Sequence, residues 1–560
     1  MKKNIILIVS VALGLSVSSS CSKLLDIAPL NNITDEQVSG LMVNGSETNK
    51  AQILGQIAAG IQQYFNVYSI PNVGTGALAP STYCMQGIEW MRGLQGNDIC
   101  IGRTTETNGL AGKAFYENTF NFASSAESTN KAHWYANAQI INKANFILGY
   151  MTEDMAKNAA TYAIARASAL LVRGYGYMGL MEEYTQPYLK LQDVNAEKSG
   201  MPIYKVYSPG QSVVTPSTAK ETWDFIKADF KEAVKLLEDN GVGFTTGWAN
   251  AEDFDLGLAN FLYARACILT GDWEEAITAC DKVINSGKYD FIAQANWGGH
   301  NSGSDMTASN LTVLPETNAF TAINVNPETI LGYNVKSSYN PTSESALCAH
   351  FTRLANPFGA YASSTCARID DRLYNKIADD DFRQDAWYTA EIVDWPYLGN
   401  TKGIVASYSA FKFACTLGLN DAGTGHTSAD LVGVNDFTKF RYSEVVLMKA
   451  EAQAQSGSES NAKATLNTLL KARTRSGKTA LTCDTYPSMA GLTALQMVQL
   501  QYRIEMWGEN GREYYNNKRW GIDVDRTGSN VHLAANVKIA ASDMTCDIIE
   551  EETQNNSNWK

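Results

Sequence analysis

The sequence predicts a mainly helical protein assembled from helical hairpins, and three observations carry that expectation. The run LANFLYARACILTGDWEEAITACDKVIN at 258–285 holds two apolar stripes at helical spacing, separated by Gly271-Asp272. A looser version of the same pattern spans Tyr442 to Arg473 and breaks at Gly457. The helical period is lost between about 287 and 435, where Gly, Asn, Ser and Thr are frequent. That stretch reads as a loop-rich insertion with short β-hairpins, including a strand at Thr329–Val335.

The chain opens with Lys2 and Lys3, an uncharged apolar run from Ile5 to Val17, then Ser18, Ser19, Ser20 and Cys21. This is the order of a secretory signal. The apolar run falls short of the roughly 20 residues that span a bilayer core. A Cys directly after small residues is where a bacterial lipoprotein is acylated and cleaved, although Ser18 stands where Leu is usual. We therefore expect a signal peptide at 1–20, lipidation at Cys21, a tether at 21–40 and a single domain at 41–560. Pro29 and the Asn and Asp content argue against a helix in the tether.

Helical periodicity then marks Asn49–Tyr64, Ser81–Leu94, Lys131–Tyr150 and Ala159–Glu183. Thr218–Leu237 adds a clean amphipathic stripe, with Trp223, Ile226, Phe230 and Val234 on one face. Trp90, Trp134, Trp223 and Trp273 all fall in such patterns and are expected in the core. At 258–285, small Ala264 and Ala266 allow close helix approach and Ala276 sits at the crossing. Trp273 opens the second helix, and Ile277, Cys280 and Val283 continue its stripe. This resembles a tetratricopeptide (TPR) unit.

Composition narrows the function. The 560 residues are 45% hydrophobic and 10% aromatic, so a large folded core is expected. The formal net charge is -13, and loss of Lys2 and Lys3 takes it to about -15. Such a surface repels nucleic acid and anionic lipid. Besides Cys21, nine cysteines are scattered with no C-x-x-C pair, and most read as small core residues, with room for one incidental disulfide. The five histidines are isolated, no G-x-S-x-G is present, and Ala472 spoils a phosphate-loop spacing before Gly477-Lys478-Thr479. No cofactor is indicated. The acidic runs Asp370-Asp371 and Asp379-Asp380-Asp381 could hold a structural calcium, but they lack its alternating spacing and read as solvated surface.

Blocks of sequence, in order, resemble the SusD/RagB family of outer-membrane nutrient-binding lipoproteins. Leu24-Leu25-Asp26 follows Cys21, and HWYANAQIINKANFIL at 133–148 is similar to the family's W-x-x-x-Y/A-x-x-I-x-x-A-N helix. Gly200-Met201-Pro202, Asn326-Pro327-Glu328-Thr329-Ile330 and FRYSEVVLMKAEA at 440–452 match further blocks. Arg473-Thr474-Arg475-Ser476-Gly477 and RIEMWGENGREYYNNKRW at 503–520 complete them. Departures are Tyr502 for an acidic residue, an extra Asn510, and Asn516 where Asp is common. Arg441, Glu444, Glu451, Arg503, Glu505 and Arg512 are read as ion pairs locking the terminal helices, because a buried charge needs its partner.

The resemblance implies a SusD-like fold: mainly α, with TPR-like helical hairpins forming a right-handed superhelical scaffold. It implies a surface-exposed, lipid-anchored outer-membrane protein that captures oligosaccharides for a TonB-dependent (SusC-like) transporter. It implies no nucleic-acid partner and no catalysis. The implied ligand loops hold Tyr68, Asn72, Tyr83, Trp297, His300 and Tyr339. A docking or peptide-binding subunit and a surface glycosidase are the alternative readings. The anchor is testable. Cys21→Ala should move the protein from the membrane to the soluble fraction, and a variant that stays membrane-bound without its transporter contradicts lipidation there.

Overall fold

The computed structural model describes Ser46, Glu89 and residues 92–100, 124–126, 128–207, 213–298, 317–333, 367–396, 402–413, 436–532 and 536–559. Residue contacts divide the chain into 1–56 and 57–560, and every element below belongs to the second unit. Cys21, the tether, the helix expected at 49–64 and most of that at 81–94 lie outside the described residues.

Long helices carry the framework: α1 (Ser128–Tyr150), α2 (Ala160–Tyr184), α3 (Ala219–Asp239), α4 (Leu256–Thr270) and α5 (Trp273–Asn285). Then come α6 (Tyr442–Gln455), α7 (Glu459–Ala472), α8 (Ala494–Glu505), α9 (Arg512–Trp520) and a short C-terminal α10 (Glu550–Asn555). From α1 to α7 each packs on the next in chain order, and α8 packs against α6. Stacking of this kind lets each helix bury a face that it cannot bury alone.

Local chemistry starts and stops these helices where the sequence predicts. Thr218 and Glu221 form a reciprocal capping box on α3, and Thr493 and Gln496 do the same on α8. Asp255 caps α4 through the Leu258 N–H, and Gly271 ends it in the left-handed region at φ 81°. All 15 residues of α4 are buried, which places it at the centre of the stack. Trp273 opens α5 but is only half-buried, unlike Trp134 and Trp223. Helix α2 is clasped on both sides. A Cβ at Gly176 would stand 2.7 Å from Ile141 of α1, and one at Gly174 would stand 2.5 Å from the Phe230 ring of α3.

The loop-rich middle contributes short strands: β1 (Ile99–Cys100), β2 (Thr329–Tyr333), β3 (Arg368–Ile369), β4 (Trp387–Tyr388), β5 (Ile392–Pro396), β6 (Lys402–Val405) and β7 (Ser409–Ala410). Later come β8 (Phe437–Arg441), β9 (Val524–Asp525) and β10 (Lys538–Ile539). An antiparallel sheet runs β1-β3-β7-β4, and β5-β6 is a hairpin. Strand β2 pairs with distant β8, so the insertion is stitched directly onto the start of α6.

Under that joint lies a cluster of charges with almost no access to water. Arg441 donates to Glu328 at 2.8 Å, to Glu505 at 2.7 Å and to Glu509 at 2.7 Å. Arg473 donates to Glu328 at 2.6 Å, to Glu505 at 2.7 Å and to the Ile292 carbonyl at 2.8 Å. Arg383 bridges Asp381 and Glu505, and Lys412 donates to Glu509 at 2.6 Å. Cations Arg383, Lys412, Arg441 and Arg473 thus face anions Glu328, Asp381, Glu505 and Glu509 in equal number. The family-like blocks N-P-E, R-Y-x-E, R-x-R and R-x-E all deliver a residue here.

This cluster corrects two expectations. Trp297 is 0% exposed, and its ring lies 4.5 Å from the Arg473 guanidinium and 5.6 Å from the Lys412 ammonium. It covers the ion cluster by cation–π contact and is not a ligand-facing residue. The acidic runs are not a solvated surface either. Asp381 and Asp370 are buried against Arg383 and Arg372, and Asp371 accepts from Asn530 at 2.6 Å. Of the five, only Asp379 is exposed.

The six ion-pair residues are paired, but with more distant partners than terminal helices alone supply. Glu444 takes Arg265 of α4 at 2.6 Å, and Glu451 takes Arg519 at 2.7 Å. Arg503 takes Asp98 at 2.8 Å, and Arg512 takes Glu182 of α2 at 3.2 Å. Tyr502, at the position of the usual acid, donates to Glu444 at 2.7 Å. The extra Asn510 adopts φ 53° and donates to the Lys439 carbonyl.

Two stability outcomes follow. Gly174→Ala should destabilise by about 1–3 kcal/mol through overpacking against buried Phe230. Gly149→Ala, where a Cβ meets nothing within 4 Å, should be neutral or stabilising. Thermal unfolding of both compares them, and equal effects would contradict the clasp. The guanidinium groups around Glu328 and Glu505 overcome the burial that opposes ionisation, and hold both carboxyls below their ordinary 4.5. The stability this contributes is present above pH 4.5 and is lost as pH falls through the lower folded-state values. Urea midpoints should therefore drop steadily below pH 4.5, and a flat profile down to pH 3 would contradict the network.

Candidate functional site

A cleft of about 330 Å³ opens between α1, α2, the extended segment 201–206 and α10. Its apolar lining comes from Ile141 of α1, Leu180 of α2 and Pro202. Trp134 enters from α1, 6% exposed, with its ring edge-on to Tyr184 at 4.9 Å. Asn142, one helical turn beyond Ala138, and Glu552 of α10 stand at the polar rim. Beside them Val206 is 56% exposed, so the cleft faces solvent.

The walls are held by hydrogen bonds that leave little freedom. The Tyr177 hydroxyl donates to the Pro202 carbonyl at 3.2 Å and accepts from the Tyr204 N–H at 2.7 Å. Asn145 donates to the Tyr204 carbonyl at 2.8 Å and accepts from Arg173 at 3.1 Å. Asp229 of α3 fixes that guanidinium through two bonds at 2.7 and 2.8 Å. On the other side Lys131 grips Glu550 at 2.8 Å and Glu551 at 2.6 Å. Asn556 ties the C-terminus to the Val214 carbonyl at 2.9 Å.

Three polar groups are left over. The Trp134 indole N–H has no acceptor among the described residues, and the Asn142 amide has no partner there either. Glu552 uses Oε1 to accept from Asn556 and Trp559 at 3.1 and 3.0 Å, which leaves Oε2 open. Burial pushes the Tyr177 hydroxyl up, so it stays protonated as a donor. Glu552 is the one carboxylate among the described lining residues, whereas glycoside hydrolysis normally uses a pair. The arrangement suits binding.

A broader groove of about 950 Å³ between α3 and α5 is already bridged by Lys282–Glu238 at 2.7 Å and Lys231–Glu275 at 3.6 Å. Cys100, Asp370 and His532 lie within 4.8 Å of one another, a set of metal-ligating types. Asp370 is engaged by Arg372 at 2.9 Å, however, and His532 Nε2 by the Asn97 carbonyl at 2.7 Å. Burial pushes the Cys100 thiol up and the His532 imidazole down to about 3, and Arg526 adds positive charge beside both. The charges oppose a cation, and the group works as a clasp holding 529–532 to β1 and β3.

Of the loop residues expected to hold ligand, Tyr68, Asn72, Tyr83, His300 and Tyr339 lie outside the described residues. Trp297 is in the core, as shown above. The cleft residues were not legible as a site, because Trp134 falls within a regular helical stripe. Its unpartnered N–H becomes visible only once α1, α2 and α10 converge.

The fold and the cleft define a class first: a helical-hairpin binding scaffold with a loop-rich insertion. Comparison with known proteins sharpens it. The SusD family profile matches residues 294–560, and a SusD-like profile described as starch-binding associating with outer membrane matches 93–245. The chain belongs to the SusD family. A SusD-like carbohydrate binding protein from Bacteroides vulgatus shares the fold at 18% identity and TM-score 0.64, over 91% of this chain and 97% of that one. A SusD superfamily protein from Bacteroides thetaiotaomicron does so at 18% identity and TM-score 0.63, over 91% and 98%. Surface glycan-binding protein A from Bacteroides fluxus matches at 17% identity and TM-score 0.59, over 91% and 97%. No curated protein sequence matches the chain significantly.

Proposed function

We propose that the protein is a cell-surface glycan-binding lipoprotein, anchored to the outer membrane through Cys21, that captures oligosaccharides and delivers them to a TonB-dependent, SusC-like transporter. It works by binding and release, without turnover. The observation that carries this reading is membership of the SusD family, matched by two profiles in separate parts of the chain. A fold shared with a surface glycan-binding protein supports it. The leader sequence supports the anchor, and no described helix is long and apolar enough to cross a membrane. The acidic net charge of -13 suits a neutral ligand better than an anionic one.

Affinity electrophoresis through gels containing each of a panel of neutral and charged polysaccharides tests this function. The purified protein should be retarded by at least one neutral polysaccharide and should release no reducing sugar from it. Migration unchanged in every gel, together with binding to a peptide library, would overturn the glycan assignment.

A further inference from the structure

We infer that the cleft between α1, α2 and α10 is a sugar subsite that takes a single neutral six-membered ring, as a free monosaccharide or the end of a chain. The inference rests on the glycan-binding reading and adds to it a place and a ligand class. Three features argue for it. The first is an unmet hydrogen bond. Trp134 is 6% exposed and lines the cleft, yet its indole N–H finds no acceptor among the described residues. The N–H is not sealed from water, so it can donate to a ligand acceptor that replaces solvent there.

The second feature is the match of donors and acceptors. Trp134 only donates, the open Glu552 oxygen only accepts, and the Asn142 amide does both. Sugar hydroxyls each donate and accept, so one ring can satisfy all three groups. Apolar Ile141, Leu180 and Pro202 lie alongside to receive its C–H surface. A uronic or sulfated sugar would bring negative charge against Glu552, which makes the class neutral. The third feature is size and rigidity. A volume of about 330 Å³ lies at the small end of ligand pockets, which run roughly 300–1,000 Å³. It admits a ring and not a folded chain. Because Asn145, Tyr177 and Arg173 already fix the wall at 202–205, little ordering remains to oppose binding.

Isothermal titration of the full protein with glucose, galactose, mannose, xylose, N-acetylglucosamine and glucuronate tests the subsite. Trp134→Phe keeps a ring and removes the N–H. Asn142→Ala alters an exposed position with no internal partner. At least one neutral sugar should bind, glucuronate should not, and each variant should weaken that binding about tenfold, the scale of one lost hydrogen bond. Unchanged affinity in both variants, or binding of glucuronate in preference, overturns the subsite. If no monosaccharide binds while polysaccharide gels still retard the protein, the subsite falls and the glycan-binding function stands. If neither binds, both fall.

Discussion

Glu505 receives three guanidinium groups at once, from Arg383, Arg441 and Arg473, in a region where each of these side chains is shut off from water. Taking charges out of water costs several kcal/mol per ion, and only dense, well-aligned pairing returns it. The arrangement meets that demand by balance, with the cations and anions of the cluster equal in number. It also meets it by saturation, since Ser443, Gln501 and the backbone carbonyls of Ile292, Glu505 and Trp507 take up further valences. The participants come from the loop-rich insertion, from the end of β8 where α6 begins, and from the ends of α7 and α8. The cluster is therefore the joint between the two kinds of structure in this protein. Trp297 and Phe320 cover it with ring faces, which keeps the local dielectric low and the pairing strong.

From that joint the helical stack extends through α5 to α1. The ion cluster holds the insertion on the scaffold. The cleft is built where α2 is clasped by α1 and α3 and the C-terminal α10 folds back against α1. Arg92, Glu183 and Tyr515 bind that return. Glu183 accepts from Arg92 at 2.7 Å and from Tyr515 at 2.9 Å, and Cys546 lies against the same carboxylate. A binding surface on such a frame presents its groups without first ordering them.

Much of the fold was legible. The expected helices at 131–150, 159–183 and 218–237 begin and end within three residues of α1, α2 and α3. The Gly271 turn is where the TPR-like pattern puts it, because periodicity and capping are local properties. The ion-pair residues were legible as charges at core positions, but their partners were not. Arg441 reaches Glu328 across 113 positions, and Arg503 reaches Asp98 across 405. Trp297 shows the same limit. A tryptophan in a Gly- and Asn-rich loop has the composition of a sugar platform, and only the arginines folded beneath it make it core. Asp370, Asp371 and Asp381 read as surface for the converse reason, since Arg372, Asn530 and Arg383 are what draw them inside. In the cleft, Trp134 looks like any stripe residue until the C-terminus arrives beside it.

The most direct test of this account is a double-mutant cycle on Glu328 and Arg473, 2.6 Å apart in the cluster. Glu328→Gln and Arg473→Met each leave the cluster one charge out of balance, whereas the pair together leaves it balanced. By urea unfolding at pH 7, each single variant should lose about 3–5 kcal/mol, the scale of breaking a buried ion pair. The double variant should lose less than the two losses added together, by at least about 1 kcal/mol. Losses that add to within about 0.5 kcal/mol would mean that the two charges do not depend on one another, and would contradict the cluster as the joint of the fold.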